Sequence, residues 1–118
     1  MSESIRQKKV AELIKEQMSS LFQKNGFYTL KGSLVTITSV SMTPDLLEAK
    51  VYLSVFNAKD KQSILNELET HHKEIRHQLG NKIAKQVRRV PEFKFFLDET
   101  LDEVFKMEKL FDKIKKQD

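Results

Sequence analysis

Residues 49–56 alternate strictly: Ala49, Val51, Leu53 and Val55 point one way, Lys50, Tyr52, Ser54 and Phe56 the other. A period of two describes a strand with one packed face. Such a strand cannot bury that face alone, so the rest of the chain must supply sheet neighbours and a covering layer. Two neighbours are legible. Leu34 to Val40 (LVTITSV) is short and β-branched, and Phe93, Phe95 and Leu97 alternate with Lys94 and Phe96. Thr43-Pro44-Asp45 is turn chemistry and predicts a loose antiparallel connection between the first two strands.

The covering layer is helical. In Ser4 to Lys24, Val10, Ile14, Met18, Leu21 and Phe22 recur at helical spacing, Ser4 and Gln7 fit a capping box, and Asn25-Gly26 is a stop. Phe27 to Ser33 reads as a loop. After an N-cap at Asn57 or Asp60, Ile64, Leu65, Leu68, Ile75, Leu79, Ile83 and Val87 form a second, longer helical pattern ended by Pro91. His71-His72-Lys73 interrupts its stripe and Gly80 sits further inside, so it reads as two helices or one bent helix. Thr100 and Glu103 offer another capping box. Leu101, Val104, Phe105, Leu110, Phe111 and Ile114 then form a last amphipathic helix. The predicted order is α-β-β-α-(bend)-α-β-α: an α+β fold, one domain over 1–118, with a three-stranded sheet carrying helices on one face.

A chain of 118 residues can hold a core without staples. It has no cysteine, which excludes disulfides and thiolate metal sites and suits a reducing cytosol. No apolar stretch approaches the roughly 20 residues that span a bilayer, and the N-terminus lacks a signal-peptide core.

Enzyme signatures are missing. With glycine only at 26, 32 and 80, the chain holds no P-loop, dinucleotide fingerprint or nucleophile elbow. His71, His72 and His77 point to different sides of a helix and do not converge on a metal, so neither metal nor cofactor is expected. Asp98, Glu99, Asp102 and Glu103 cluster after the third strand. At a helix start they serve the dipole and the free amides, although a small hydrolase using these carboxylates is a rival reading. Tyr52 and Phe56 could stack bases, but without a second aromatic row the favoured reading has the first or last helix partly covering them.

The charge distribution is more informative. Between residues 73 and 90, Lys73, Arg76, Lys82, Lys85, Arg88 and Arg89 oppose only Glu74, so this window alone exceeds the whole chain's net charge of +4. Surface helices normally mix signs, as the first helix does. Lys82, Lys85 and Arg89 recur at helical spacing and predict a basic ridge suited to a phosphate backbone. Arg6, Lys8 and Lys9, at the start of the first helix, form a second expected contact.

These segments, taken in order, resemble the ribosome-binding factor A family. The resemblance rests on RQKKVAELIK (6–15), VTITSV (35–40), SMTPDLLEAKVYLS (41–54), Glu74-Ile75-Arg76 and VPEFKFFLDETL (90–101). It implies a type-II KH-like fold and a non-catalytic, cytoplasmic factor; a monomer is expected because nothing in the sequence demands a dimer. Such a factor binds the immature 30S ribosomal subunit and its 16S rRNA, assists late rRNA processing or folding, is tied to growth in the cold, and is linked to a small-subunit GTPase. The chain departs from the family in reading His71-His72-Lys73 where many members bend the long helix at Ala-x-Gly. It also has no G-x-x-G loop, so shape and phosphate recognition are expected in place of base reading by a KH loop. The rival of another class is a protein-interaction or homodimeric module that docks through the amphipathic last helix.

Overall fold

The computed structural model describes residues 3–98. Helix α1 (Ile5–Asn25) is followed by strands β1 (Thr29–Leu30), β2 (Ser33–Met42) and β3 (Glu48–Phe56). Helices α2 (Lys61–Thr70) and α3 (His72–Ile83) then lead to β4 (Glu92–Leu97). The expected last helix, from Leu101 to Ile114, lies outside the described residues, as do Glu99, Thr100, Asp102 and Glu103.

The sheet order is β1-β2-β3-β4. β1–β2 and β2–β3 are antiparallel, while β3–β4 is parallel. A parallel neighbour requires a crossover, and the α2–α3 pair is that crossover. The alternation at 49–56 behaves as expected: Ala49, Val51 and Leu53 are fully buried and Val55 nearly so. Ala11, Ile14, Met18, Leu21 and Phe22 of α1 join them, with Ile64 and Leu68 of α2, Ile75, Leu79 and Ile83 of α3, and Phe93 and Phe95 of β4, in one core on one face of the sheet.

Two expectations need correction. The sheet has four strands, because Thr29 and Leu30 pair with Leu34 and Ser33 around a two-residue turn. Lys31 and Gly32 both take positive φ there (52° and 79°), as such tight hairpins require. A lysine in that position is not a recognised turn signal, which is why the segment reads as loop.

The second correction concerns α3, which ends at Ile83 well short of Pro91. One more turn follows, with Ala84 donating to the Gly80 carbonyl and Val87 to that of Ile83, and then the chain leaves the helical path. It must do so to bring Glu92 beside Glu48, and Val87 and Val90 pack against the core on the way. Lys85, Arg88 and Arg89 therefore stand on a turn and bend after the helix, not on a helical ridge.

Tyr52 and Phe56 lie on the face opposite the residues that pack against α1, so of the two helices expected to cover them in part the first does not, and the last lies outside the described residues. Tyr52 sits against Phe96, its neighbour in register (ring centroids 5.7 Å apart), and Phe56 is 55% exposed.

The interruption between α2 and α3 falls at His71 (φ −101°, ψ 9°), not at Gly80, which lies inside α3. The two adjacent imidazoles take different aromatic partners: His71 meets Phe27 with centroids 5.0 Å apart, and His72 stacks on Phe93 at 4.4 Å.

Candidate nucleic-acid interface

The N-terminal turn of α1 is held by its cap. The Ser4 hydroxyl accepts from the Gln7 N–H at 3.1 Å, and the Gln7 side-chain oxygen accepts from the Ser4 N–H at 2.9 Å. This places Arg6 and Val10 beside the β2–β3 connection and the segment that follows α3. The three elements enclose a cleft of about 400 Å³, with Arg6, Arg88 and Arg89 among its lining residues. More than eighty positions separate Arg6 from Arg89 in sequence, and the fold brings them to one opening.

Asp45 also lines the cleft, in the connection between β2 and β3. Its Oδ1 accepts from the Thr43 hydroxyl at 2.6 Å and from the Leu47 N–H at 3.0 Å. The Thr43 hydroxyl, and after it the Leu47 amide, hold the Asp45 carboxyl below the usual aspartate value, because both donors favour the charged form. The cleft thus presents three guanidinium groups and one carboxylate.

The remaining expected cations spread out. Arg76 bonds Glu92 at 2.6 Å. Glu92 and Glu48 are neighbours in register, and Lys94 approaches Glu48 at 3.7 Å, so both cations offset two like charges side by side on adjacent strands. Lys82 stands six residues from Arg76 on α3, which at 100° per residue puts the two about 120° apart around the helix. Lys73 is exposed in the first turn of α3 and Lys85 on the turn after it. Lys8 faces another groove, with Glu3, Lys15 and Ser39, while Lys9 is exposed on α1. The structure therefore unites Arg6, Arg88 and Arg89 and separates them from Arg76, Lys73 and Lys8. Arg6, Arg88 and Arg89 make no ion pair among the described residues, in contrast to Arg76.

The apolar component of the cleft, Val10, Pro44, Leu46, Leu47 and Val87, was not singled out from sequence as part of a site. Its one local signal was the turn chemistry at Thr43-Pro44-Asp45. Asp98, counted in sequence among a carboxylate cluster, accepts from the Thr38 hydroxyl at 2.8 Å and ties the end of β4 to β2. Among the described residues no group of three His, Cys, Asp or Glu could hold a metal ion, and no helix is long and apolar enough to cross a membrane.

Fold and surface together define a small basic α+β protein with an arginine-lined cleft, and comparison with known proteins makes the class specific. The family profile described as ribosome-binding factor A matches residues 6–111. A ribosome-binding factor A of Cytophaga hutchinsonii is 44% identical, covering 98% of this chain and 90% of that one. One from Chlorobaculum tepidum is 36% identical, covering 95% and 92%. The crystal structure of ribosome-binding factor A from Thermus thermophilus superimposes with a TM-score of 0.64 at 19% identity, over 77% of this chain and 94% of that one. A Thermus thermophilus homology model fitted into a cryo-electron microscopy map of a complex with the 30S subunit gives 0.59 at 19% identity, over 75% and 90%. The chain belongs to the ribosome-binding factor A family.

Proposed function

We propose that this protein binds the immature 30S ribosomal subunit through its 16S rRNA and assists late processing or folding of that RNA without catalysing a reaction. The observation that carries the reading is the convergence of Arg6, Arg88 and Arg89 on one cleft, with no carboxylate among the described residues paired to them. Guanidinium groups left unpaired at a surface suit phosphate, which their planar fork can bond twice. Lys9, Lys82 and Lys85, exposed on α1, on α3 and on the turn after it, add positive charge outside the cleft, as do Lys8 and Lys73. Arg76, already bonded to Glu92, contributes mainly to the sheet edge.

Family membership supports the ribosomal destination, and the Thermus thermophilus relative placed in a 30S complex supports the small subunit as partner. The helix and strand order supports the KH-like reading, and the missing G-x-x-G loop favours recognition by shape and phosphate. A monomer acting in the cytoplasm, needed most in the cold and released with the help of a small-subunit GTPase, completes the proposal.

Co-sedimentation with isolated 30S and 50S subunits over a salt series tests it. Binding to 30S alone is expected, weakening with a log–log slope of about −0.7 to −0.9 per phosphate contacted. Reversing Lys85, Arg88 and Arg89 to Glu should abolish it. Undiminished 30S binding by that variant would sink the assignment.

A further inference from the structure

We propose that the arginine-lined cleft captures one unstacked nucleotide of single-stranded RNA, its base against the aliphatic walls and its phosphate among Arg6, Arg88 and Arg89. The inference rests on the RNA-binding reading above and goes further by specifying what enters the site.

Size comes first. A cleft of about 400 Å³ lies within the usual range for small-molecule sites, so a single nucleotide fits where a duplex does not.

The walls are the second observation. A surface that only follows a phosphate backbone needs cations and polar donors, yet here Val10, Leu46, Leu47 and Val87 line the same cleft. Leu47, which lines the cleft with the arginines, is 42% exposed. Aliphatic walls next to guanidinium planes match the two surfaces that hold an extruded base, apolar contact and Arg stacking.

Asp45 is the third. A carboxylate in a phosphate-only groove would oppose its ligand. One of its oxygens, Oδ1, is occupied by Thr43 and Leu47, and no described residue donates to Oδ2. An ionised oxygen fixed in that way is an acceptor for an amino or imino N–H on a base edge. In a duplex those groups are paired and stacked, so the cleft selects an unpaired residue.

The test uses the full chain with labelled Leu and Val methyl groups and three probes at one salt concentration. These are a mixed-sequence RNA hexamer, the same hexamer annealed to its complement, and a hexamer of abasic spacers. The single strand should bind more tightly than the other two and shift the methyl signals of Val10, Leu46, Leu47 and Val87. Leu47→Ser should weaken single-strand binding about fivefold, the equivalent of roughly 40 Å² of apolar contact, and leave duplex binding unchanged. Should that variant fail to fold, the methyl shifts of the unaltered chain decide. Equal binding of all three probes with the methyls unmoved overturns the nucleotide site and leaves phosphate recognition standing. If the hexamer does not bind while 30S co-sedimentation persists, the nucleotide site alone is overturned. Loss of both overturns the RNA-binding reading as well.

Discussion

The side-chain amide of Gln7 donates to the main-chain carbonyl of Met42 at 2.9 Å, although 35 positions separate them in sequence. The same side chain completes the cap of α1 through Ser4, so one residue both starts the helix and fastens it to the end of β2. Arg6 is its neighbour in the chain, and the β2–β3 connection begins just past Met42. The tether therefore sets the spacing of two walls of the cleft. Gln7→Glu keeps the capping oxygen but loses the donor, leaving the Met42 carbonyl unsatisfied at a buried position. We expect a loss of about 1–3 kcal/mol in urea denaturation, and a change within about 0.5 kcal/mol would show the tether to be dispensable.

Gly80 lies within α3, where glycine is unfavourable and its backbone does not take positive φ. A Cβ built there meets both Val90 methyls at 3.9 Å, an ordinary contact distance. Gly80→Ala is expected to stabilise the protein by about 0.5–1 kcal/mol, read as a raised Tm. Destabilisation would mean that α3 and the segment carrying Val90 must approach more closely than this.

His72 stacks on Phe93, yet its Nδ1 is buried with no hydrogen-bond partner among the described residues. Glu69 Oε2 is near, at 3.7 Å, but beyond hydrogen-bond reach. The ring matters here as a flat apolar body and its nitrogen is a cost. His72→Phe should be neutral or stabilising by about 1 kcal/mol, and His72→Ala should cost about 1–2 kcal/mol through the lost stack. Equal losses in chemical denaturation would mean that the nitrogen has a partner in solution.

Asp45 gives a pH-dependent signature. Its carboxyl titrates lower in the folded chain than in the unfolded one, with the Thr43 hydroxyl as the main cause. Its stabilising contribution is therefore present above the unfolded-state pKa and is lost as pH falls through the folded-state value. Thr43 also lies within 3.2 Å of the Glu48 carbonyl, but its single proton goes to Asp45 at 2.6 Å while it accepts from the Glu48 N–H at 3.1 Å. Thr43→Val should move the Asp45 titration, followed by carboxyl NMR, up toward the usual aspartate range. An unmoved titration would assign the shift to the Leu47 amide.

What was legible in the chain follows from how local each signal is. The cap at Ser4 and Gln7, the left-handed stop at Gly26 and the N-cap at Asp60 all stand where the residues predicted them, because a cap needs only partners within one turn. The alternation at 49–56 and at 93–97 identified both strands and their buried sides, because period two is a property of the strand itself. The basic surplus of residues 73–90 was equally plain from composition.

Tertiary structure decided the rest. Helical periodicity continues through Lys85 and Val87, but α3 stops at Ile83 because the chain must turn there to lay β4 parallel to β3, a demand that no neighbouring residue encodes. Lys31 accepts positive φ because β1 and β2 pair across it, with tertiary pairing outweighing local preference. The grouping of cations was likewise beyond sequence reading. Arg76 is drawn to Glu92 by the register of two strands, and Arg6 meets Arg88 and Arg89 because α1 docks beside the end of the crossover. Sequence by itself determined where α1, α2, α3, β2, β3 and β4 lie, though not β1, and which segment is basic. Packing of those segments, by long-range contacts that local patterns do not carry, decided where each ends and which charges share a site.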